Sequence, residues 1–78
     1  MHGLEIEMAK DDDLDFIAKR IIERKNDYYR VALSFCGKRD DALDAVSEMT
    51  LVAIEKIGSL RNRDAFTGWS TQILVNIS

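Results

Sequence analysis

The 78-residue chain contains no proline, where average usage would put about four. No helix in it is therefore broken by a missing backbone donor. It has one cysteine, Cys36, and one histidine, His2. A single thiol excludes an intrachain disulfide, and one Cys with one His leaves no zinc ligand set. A lone thiol suits a reducing compartment, so a cytoplasmic location is expected. No apolar run approaches the ~20 residues of a membrane span. The first residues lack the basic-then-apolar pattern of a signal peptide. No nucleophile has a base at a useful spacing, and no glycine-rich loop is present to cradle a cofactor. The sequence thus points to a non-enzyme with no cofactor. Basic excess is lacking too: 11 Lys and Arg face 14 Asp and Glu, for a net charge of −3. A free-standing DNA binder is usually basic.

What is present is a globular balance, with 46% hydrophobic and 32% charged residues. The length allows one domain, with a core worth only ~3–5 kcal/mol. From Asp13 onward the pattern is helical. Leu14, Ile17, Ile21, Tyr28, Ala32, Phe35 and Cys36 recur at steps of three and four, with a gap near Arg24 and Lys25. This predicts a helix over 14–36, broken near Lys25 and Asn26. Asp11, Asp12 and Asp13 supply N-caps, and Gly37 supplies the left-handed stop. Asp40 is expected to cap a second helix bearing Ala42, Ala45, Val46, Met49, Val52, Ala53 and Ile57, stopped by Gly58. A polar loop over 59–63 leads to a third, capped by Asp64, with Phe66, Trp69, Ile73 and Ile77 inward. Phe66, Trp69, Ile73, Val46 and Tyr29 are expected to be largely buried. The fold class is all-α, a compact bundle of three to four helices. Residues 1–13 form an acidic N-terminal segment and 14–78 the helical domain.

The charge is blocky. Residues 1–16 are net −5, residues 17–39 net +5, residues 40–48 net −4 and residues 49–78 net +1. A basic first helix is followed by an acidic start to the second.

Three clusters carry candidate chemistry, each with a plain structural alternative. Asp41, Asp44 and Glu48 share one helical face. They form either a solvated surface or a docking face for a basic partner, which would relieve their mutual repulsion. Phe66 and Trp69 follow Arg61, Asn62 and Arg63. They are core aromatics, or a stacking site beside phosphate-binding cations that suits a single strand. The third helix carries Thr67, Ser70, Thr71, Gln72 and Asn76 but no charge. These residues can hydrogen-bond to bases and phosphates, or they can line a helix–helix contact. The triple aspartate lacks the turn glycine of a cation loop and reads as a cap. Cys36 reads as a buried thiol.

Four segments in order resemble region 2 of the extracytoplasmic-function sigma factors of bacterial RNA polymerase. They are Tyr28-Tyr29-Arg30-Val31-Ala32-Leu33 before Gly37, then Asp41-Ala42-Leu43-Asp44-Ala45-Val46-Ser47-Glu48, then Leu60-Arg61-Asn62-Arg63-Asp64-Ala65-Phe66, and lastly Trp69, Ile73 and Asn76 at the spacing Trp-x-x-x-Ile-x-x-Asn. The resemblance covers about residues 15–78. It implies a transcription initiation module in which Asp41, Asp44 and Glu48, with Met49 and Val52, dock on the coiled coil of the polymerase β′ subunit. It implies that Arg61, Asn62, Arg63 and Asp64 line a pocket for a flipped base of the promoter −10 element. Thr67, Trp69, Thr71, Gln72 and Asn76 would meet the single non-template strand. It further implies an anti-sigma factor as a partner, and a separate −35-reading domain after residue 78.

The chain departs from the family pattern in two places. Ser47 stands where members carry Gln, and Thr67, Gln72 and Val75 stand where they carry arginines. Each lost arginine removes close to one released counterion. Two other readings remain open on the residues alone. One is a small helical protein–protein interaction module with no DNA contact. The other is an autonomous helix-turn-helix domain, which the acidic balance disfavours.

Overall fold

The computed structural model describes residues 11–77. It is all-helical: α1 (Asp11–Glu23), α2 (Lys25–Cys36), α3 (Arg39–Lys56) and α4 (Phe66–Ile77), with short 3-10 turns at Ile57–Ser59 and Arg63–Ala65. The acidic N-terminal segment expected over 1–13 lies outside the described residues up to residue 10. Its last three aspartates form the first turn of α1, where they complement the helix dipole.

The break expected near Lys25 falls at Arg24. Its N–H is shared between the carbonyls of Arg20 (3.3 Å) and Ile21 (3.2 Å), and the Tyr28 N–H reaches the Arg24 carbonyl at 3.0 Å. The ladder bends here without ending, so α2 continues in the sense of α1. Together they span roughly 39 Å at 1.5 Å per residue, close to the 43 Å long axis of the domain. Gly37 stops α2 in the left-handed conformation, φ 75°, and its N–H donates to the Leu33 carbonyl at 2.9 Å.

Helix α3 then runs back along the pair and α4 returns alongside both. Small residues make the contact close. Ala32 on α2 and Ala42, Ala45 and Ala53 on α3 are buried, with Met49, Tyr28, Ile17, Ile21, Ile57, Phe66 and Leu74 filling the space between. The stripe expected on α3 is thus the inward face, with Val46 and Val52 at its margin. On α1 and α2 the margin lies further in than expected, and Leu14 and Phe35 are exposed. Tyr28 and Ala32 lead inward there, and Phe35 falls on the solvent side of them.

The inward face of α4 is displaced from the one expected. Phe66, Ser70 and Leu74 are buried, at steps of four, while Trp69 and Ile73 are half-buried. Val46 and Tyr29 are half-buried too. The cause is a polar contact in the core. Ser70 Oγ donates to the Phe66 carbonyl at 2.8 Å, so the Tyr28 phenol gives its proton to Ser70 Oγ at 2.6 Å. Both groups are satisfied, and no buried side-chain N or O among the described residues lacks a partner. A buried hydroxyl left unpaired would cost about 1–3 kcal/mol, so the pair fixes how α4 is rotated.

Three expected caps are corrected. Helix α3 starts at Arg39, with extended Lys38 before it and no side-chain cap, so Asp40 and Asp41 sit in the first turn. Helix α3 ends at Lys56, and Gly58 lies within the following 3-10 turn. Asn62, not Asp64, caps the last segment: its Oδ1 accepts the Asp64 N–H at 2.9 Å. Among the described residues no helix is long and apolar enough to cross a membrane.

Tyr28→Phe is expected to destabilise the domain by about 1 kcal/mol. That would lower the melting temperature by roughly 4–8 °C in a domain of this size. Thermal unfolding followed by circular dichroism measures it, and an unchanged midpoint would contradict the role given to the pair.

Candidate functional site: two ends of one hairpin

The topology creates two distinct ends. Asp13, near the start of α1, meets Arg63 in the loop between α3 and α4. Cys36, at the end of α2, lies with Ile77, at the end of α4, against the first half of α3. The loop end and the opposite end are separated by most of the length of α3, roughly 20 Å at 1.5 Å per residue.

At the end away from the loop, Asp41, Asp44 and Glu48 are exposed. They line a shallow groove of about 320 Å³ with Cys36, Ala45 and Ile77. The expected acidic face therefore exists as a surface. Met49 does not belong to it. Met49 is wholly buried against the core, because its position one residue after Glu48 turns it inward by about 100°. Val52, one turn beyond Glu48, is half-buried at the margin.

The apolar component of this surface comes from residues that pattern reading passed over. Leu43 is 50% exposed and Leu51 is 62% exposed. With Ser47 between them they form a row at steps of four beside the acids. The signal was available, since these are two leucines off the inward stripe of an amphipathic helix. Beyond Leu43 a second groove of about 570 Å³ opens between α2 and α3, lined by Lys25, Asn26, Tyr29, Arg39, Leu43, Val46 and Ser47. Its walls are largely apolar, with Lys25 and Arg39 among them.

At the loop end, Arg61, Asn62, Arg63 and Asp64 are all exposed. The Asn62 side-chain oxygen is committed to the cap. Arg63 bonds to the Asp13 carboxylate, and its guanidinium lies 4.5 Å from the centre of the Phe16 ring. Phe16 meets Phe66 edge-on at 5.3 Å, and Phe66 meets Trp69 at 5.7 Å. An aromatic row thus runs from α1 under the loop into α4.

The polar residues of α4 do not form one face. Ser70 is spent in the core. Thr67 and Thr71 lie on one flank, and the Thr71 hydroxyl donates to the Thr67 carbonyl at 2.7 Å. Gln72 and Asn76 are exposed on the other flank, where Gln72 Nε2 donates a hydrogen bond to Asn76 Oδ1 at 3.2 Å, with half-buried Trp69 on the same side. From Ala65 to the end of the chain there is no charged side chain. Among the described residues no cluster of three or more His, Cys, Asp or Glu is placed to hold a metal.

Comparison with known proteins identifies the family. The family model described as sigma-70 region 2 matches residues 21–78. The chain belongs to that family, whose members are transcription initiation factors and not enzymes. It is also similar to the RNA polymerase sigma factor SigV of Bacillus subtilis (strain 168), with 38% identity over 55 residues, 70% of this chain and 33% of that protein. The chain therefore spans about a third of the length of that curated relative. No solved structure gives a significant match. The resemblance drawn from the four motifs is borne out by both findings.

The burial of Met49 and the exposure of Leu51 make a paired prediction. Met49→Ala is expected to cost about 2–5 kcal/mol, enough to unfold much of the domain. Leu51→Ser is expected to change stability by less than about 0.5 kcal/mol. Urea unfolding of the two variants separates them.

Proposed function

We propose that the chain docks on the coiled coil of the RNA polymerase β′ subunit through the exposed face of α3, and takes the non-template strand of a promoter −10 element at its loop end. The observation that carries this reading is the separation of the acidic groove, where Asp41, Asp44 and Glu48 lie with Cys36 and Ile77, from the loop over 61–64 by most of the length of α3. One partner can be held without blocking the other. Asp41, Asp44 and Glu48 supply charge complementarity to a basic helix. Leu43 and Leu51 supply the apolar contact, with Val52 at the margin.

At the loop end, Arg61 and Arg63 meet backbone phosphate, and Asn62 and Asp64 shape the pocket for one unstacked base. Trp69 and Gln72 continue from the loop along one flank of α4, which Asn76 extends toward the far end, with Thr67 and Thr71 on the opposite flank. Capture of a base offsets an unstacking cost of a few kcal/mol. Each base stacked on an aromatic ring recovers about 1–3 kcal/mol. The chain makes and breaks no bond. Polymerase supplies the chemistry and most of the electrostatic grip, which reconciles a net charge of −3 with a role on DNA.

A second reading is a module that binds proteins only. It is favoured by the uncharged α4 and by the engagement of Arg63 with Asp13. The two readings differ at the loop.

The Asp44→Lys, Glu48→Lys double variant is expected to lose binding to an isolated β′ coiled-coil fragment that the parent chain binds, as read by calorimetry. A parent chain that is folded yet does not bind would remove the docking reading. With polymerase present, Asn62→Ala and Arg63→Gln are expected to reduce transcription from a responsive promoter while leaving binding to the fragment intact. Unchanged transcription would favour the protein-only module. Arg61 and Arg63 are the two cations of the loop itself, so neutralising phosphates with both contributes a salt slope of roughly −1.4 on a single strand.

A further inference from the structure

Arg63 does not hang free in its loop. Its guanidinium bonds to the Asp13 carboxylate and lies over the Phe16 ring. Phe16 is braced in turn by Phe66, which opens α4. The same ring carries the Arg20 guanidinium at 5.4 Å. Asp13 and Phe16 both precede residue 21, where the family match begins. A contact outside the matched region thus holds the most structured cation of the candidate strand-binding loop.

Charge and ordering act in opposite senses on nucleic-acid binding here. The Asp13 carboxylate offsets part of the Arg63 charge and so weakens long-range attraction to a polyanion. The pair of contacts also removes freedom. An arginine side chain carries about 2 kcal/mol of rotamer entropy, and a fixed guanidinium no longer loses it on binding. The Arg63 side chain keeps 47% of its surface open, whereas Asp13 keeps 22%. What remains available is a guanidinium of fixed orientation, backed on one side by a ring. Such a plane can stack on a base or donate to a phosphate.

We propose that Asp13 and Phe16 are positioning residues for Arg63, holding its guanidinium as a preset platform on which a single strand is received. This rests on the strand-binding reading above. The consequence is unusual in sign: removing a negative charge from Asp13 should weaken binding to a polyanion.

The test uses the whole chain bound to RNA polymerase core and a fluorescein-labelled single-stranded DNA, ten nucleotides long, taken from the −10 non-template strand of a responsive promoter, followed by anisotropy at low ionic strength against polymerase core alone. Asp13→Asn is expected to weaken binding about three- to fivefold, the range of an exposed cation–π or ion-pair contact. Asp13→Glu should recover most of the loss. Asp15→Asn, on the exposed side of the same helix, should cause none. In an Arg63→Gln background Asp13→Asn should have no further effect. Arg63→Lys keeps the charge but not the plane, and should lose as much as Asp13→Asn. It also serves as the deciding variant if Asp13→Asn fails to fold by circular dichroism. Binding by Asp13→Asn equal to or tighter than the parent would overturn the proposal and leave the strand-binding reading standing. A folded parent that adds no oligonucleotide binding to that of polymerase core alone would overturn both, and stability coupling between Asp13→Asn and Arg63→Gln would then mark the contact as a structural brace.

Discussion

The orientation of α4 depends on one buried hydrogen bond, from the Tyr28 phenol to Ser70 Oγ. Dispersion and apolar burial hold the helices together but tolerate many rotations of a helix that is apolar or neutral nearly all round. Helix α4 is such a helix, with Phe66, Trp69, Ile73, Leu74, Val75 and Ile77 spread about its axis. A hydroxyl in the core removes that freedom, because only one rotation brings it to the phenol. Everything the helix shows to solvent follows. Gln72 and Asn76 face outward, Trp69 lies at the margin, and the threonines occupy the far flank.

The same economy governs the two surfaces. The first helices run the length of the domain with a bend at Arg24, so the start of the chain braces the loop end and Cys36 reaches the other. Helix α3 crosses the interval once and contributes to both ends. Its alanines allow close packing on α2 and α4, and that leaves its outward residues on a ridge flanked by two grooves. Acid and leucine alternate along the ridge, a pattern suited to a helical partner of opposite charge with an apolar seam of its own.

Much of this was legible because it rests on period. The number of helices, the alanine stripe of α3, the gap near Arg24 and the Gly37 stop all leave marks in local sequence. The acidic face did too, since Asp41, Asp44 and Glu48 fall at helical spacing. What was not legible depends on competition between residues or on distance along the chain. Pattern reading places large apolar residues inward, so it turned α4 toward Trp69 and Ile73 and left Ser70 undecided. Period put Met49 on the inward stripe, where it lies; the family resemblance placed it in a docking face beside Glu48, though a step of one residue sends it into the core. Pattern reading named Asp64 as a cap where Asn62 takes that place, because the intervening 3-10 turn has no periodic signature. The contact of Arg63 with Asp13 and Phe16 joins residues about 50 positions apart and leaves no local trace.

The two ends of the domain also carry different spectroscopic labels by nature. The chain has a single tryptophan, Trp69, within the first turn of α4 beside the loop end, and a single cysteine, Cys36, in the acidic groove. A dye on the thiol would form an energy-transfer pair with the indole without adding or removing any residue. Because α4 runs from one label toward the other, a change in its tilt when either end is occupied would alter the transfer efficiency. The domain thus contains its own internal ruler along α4.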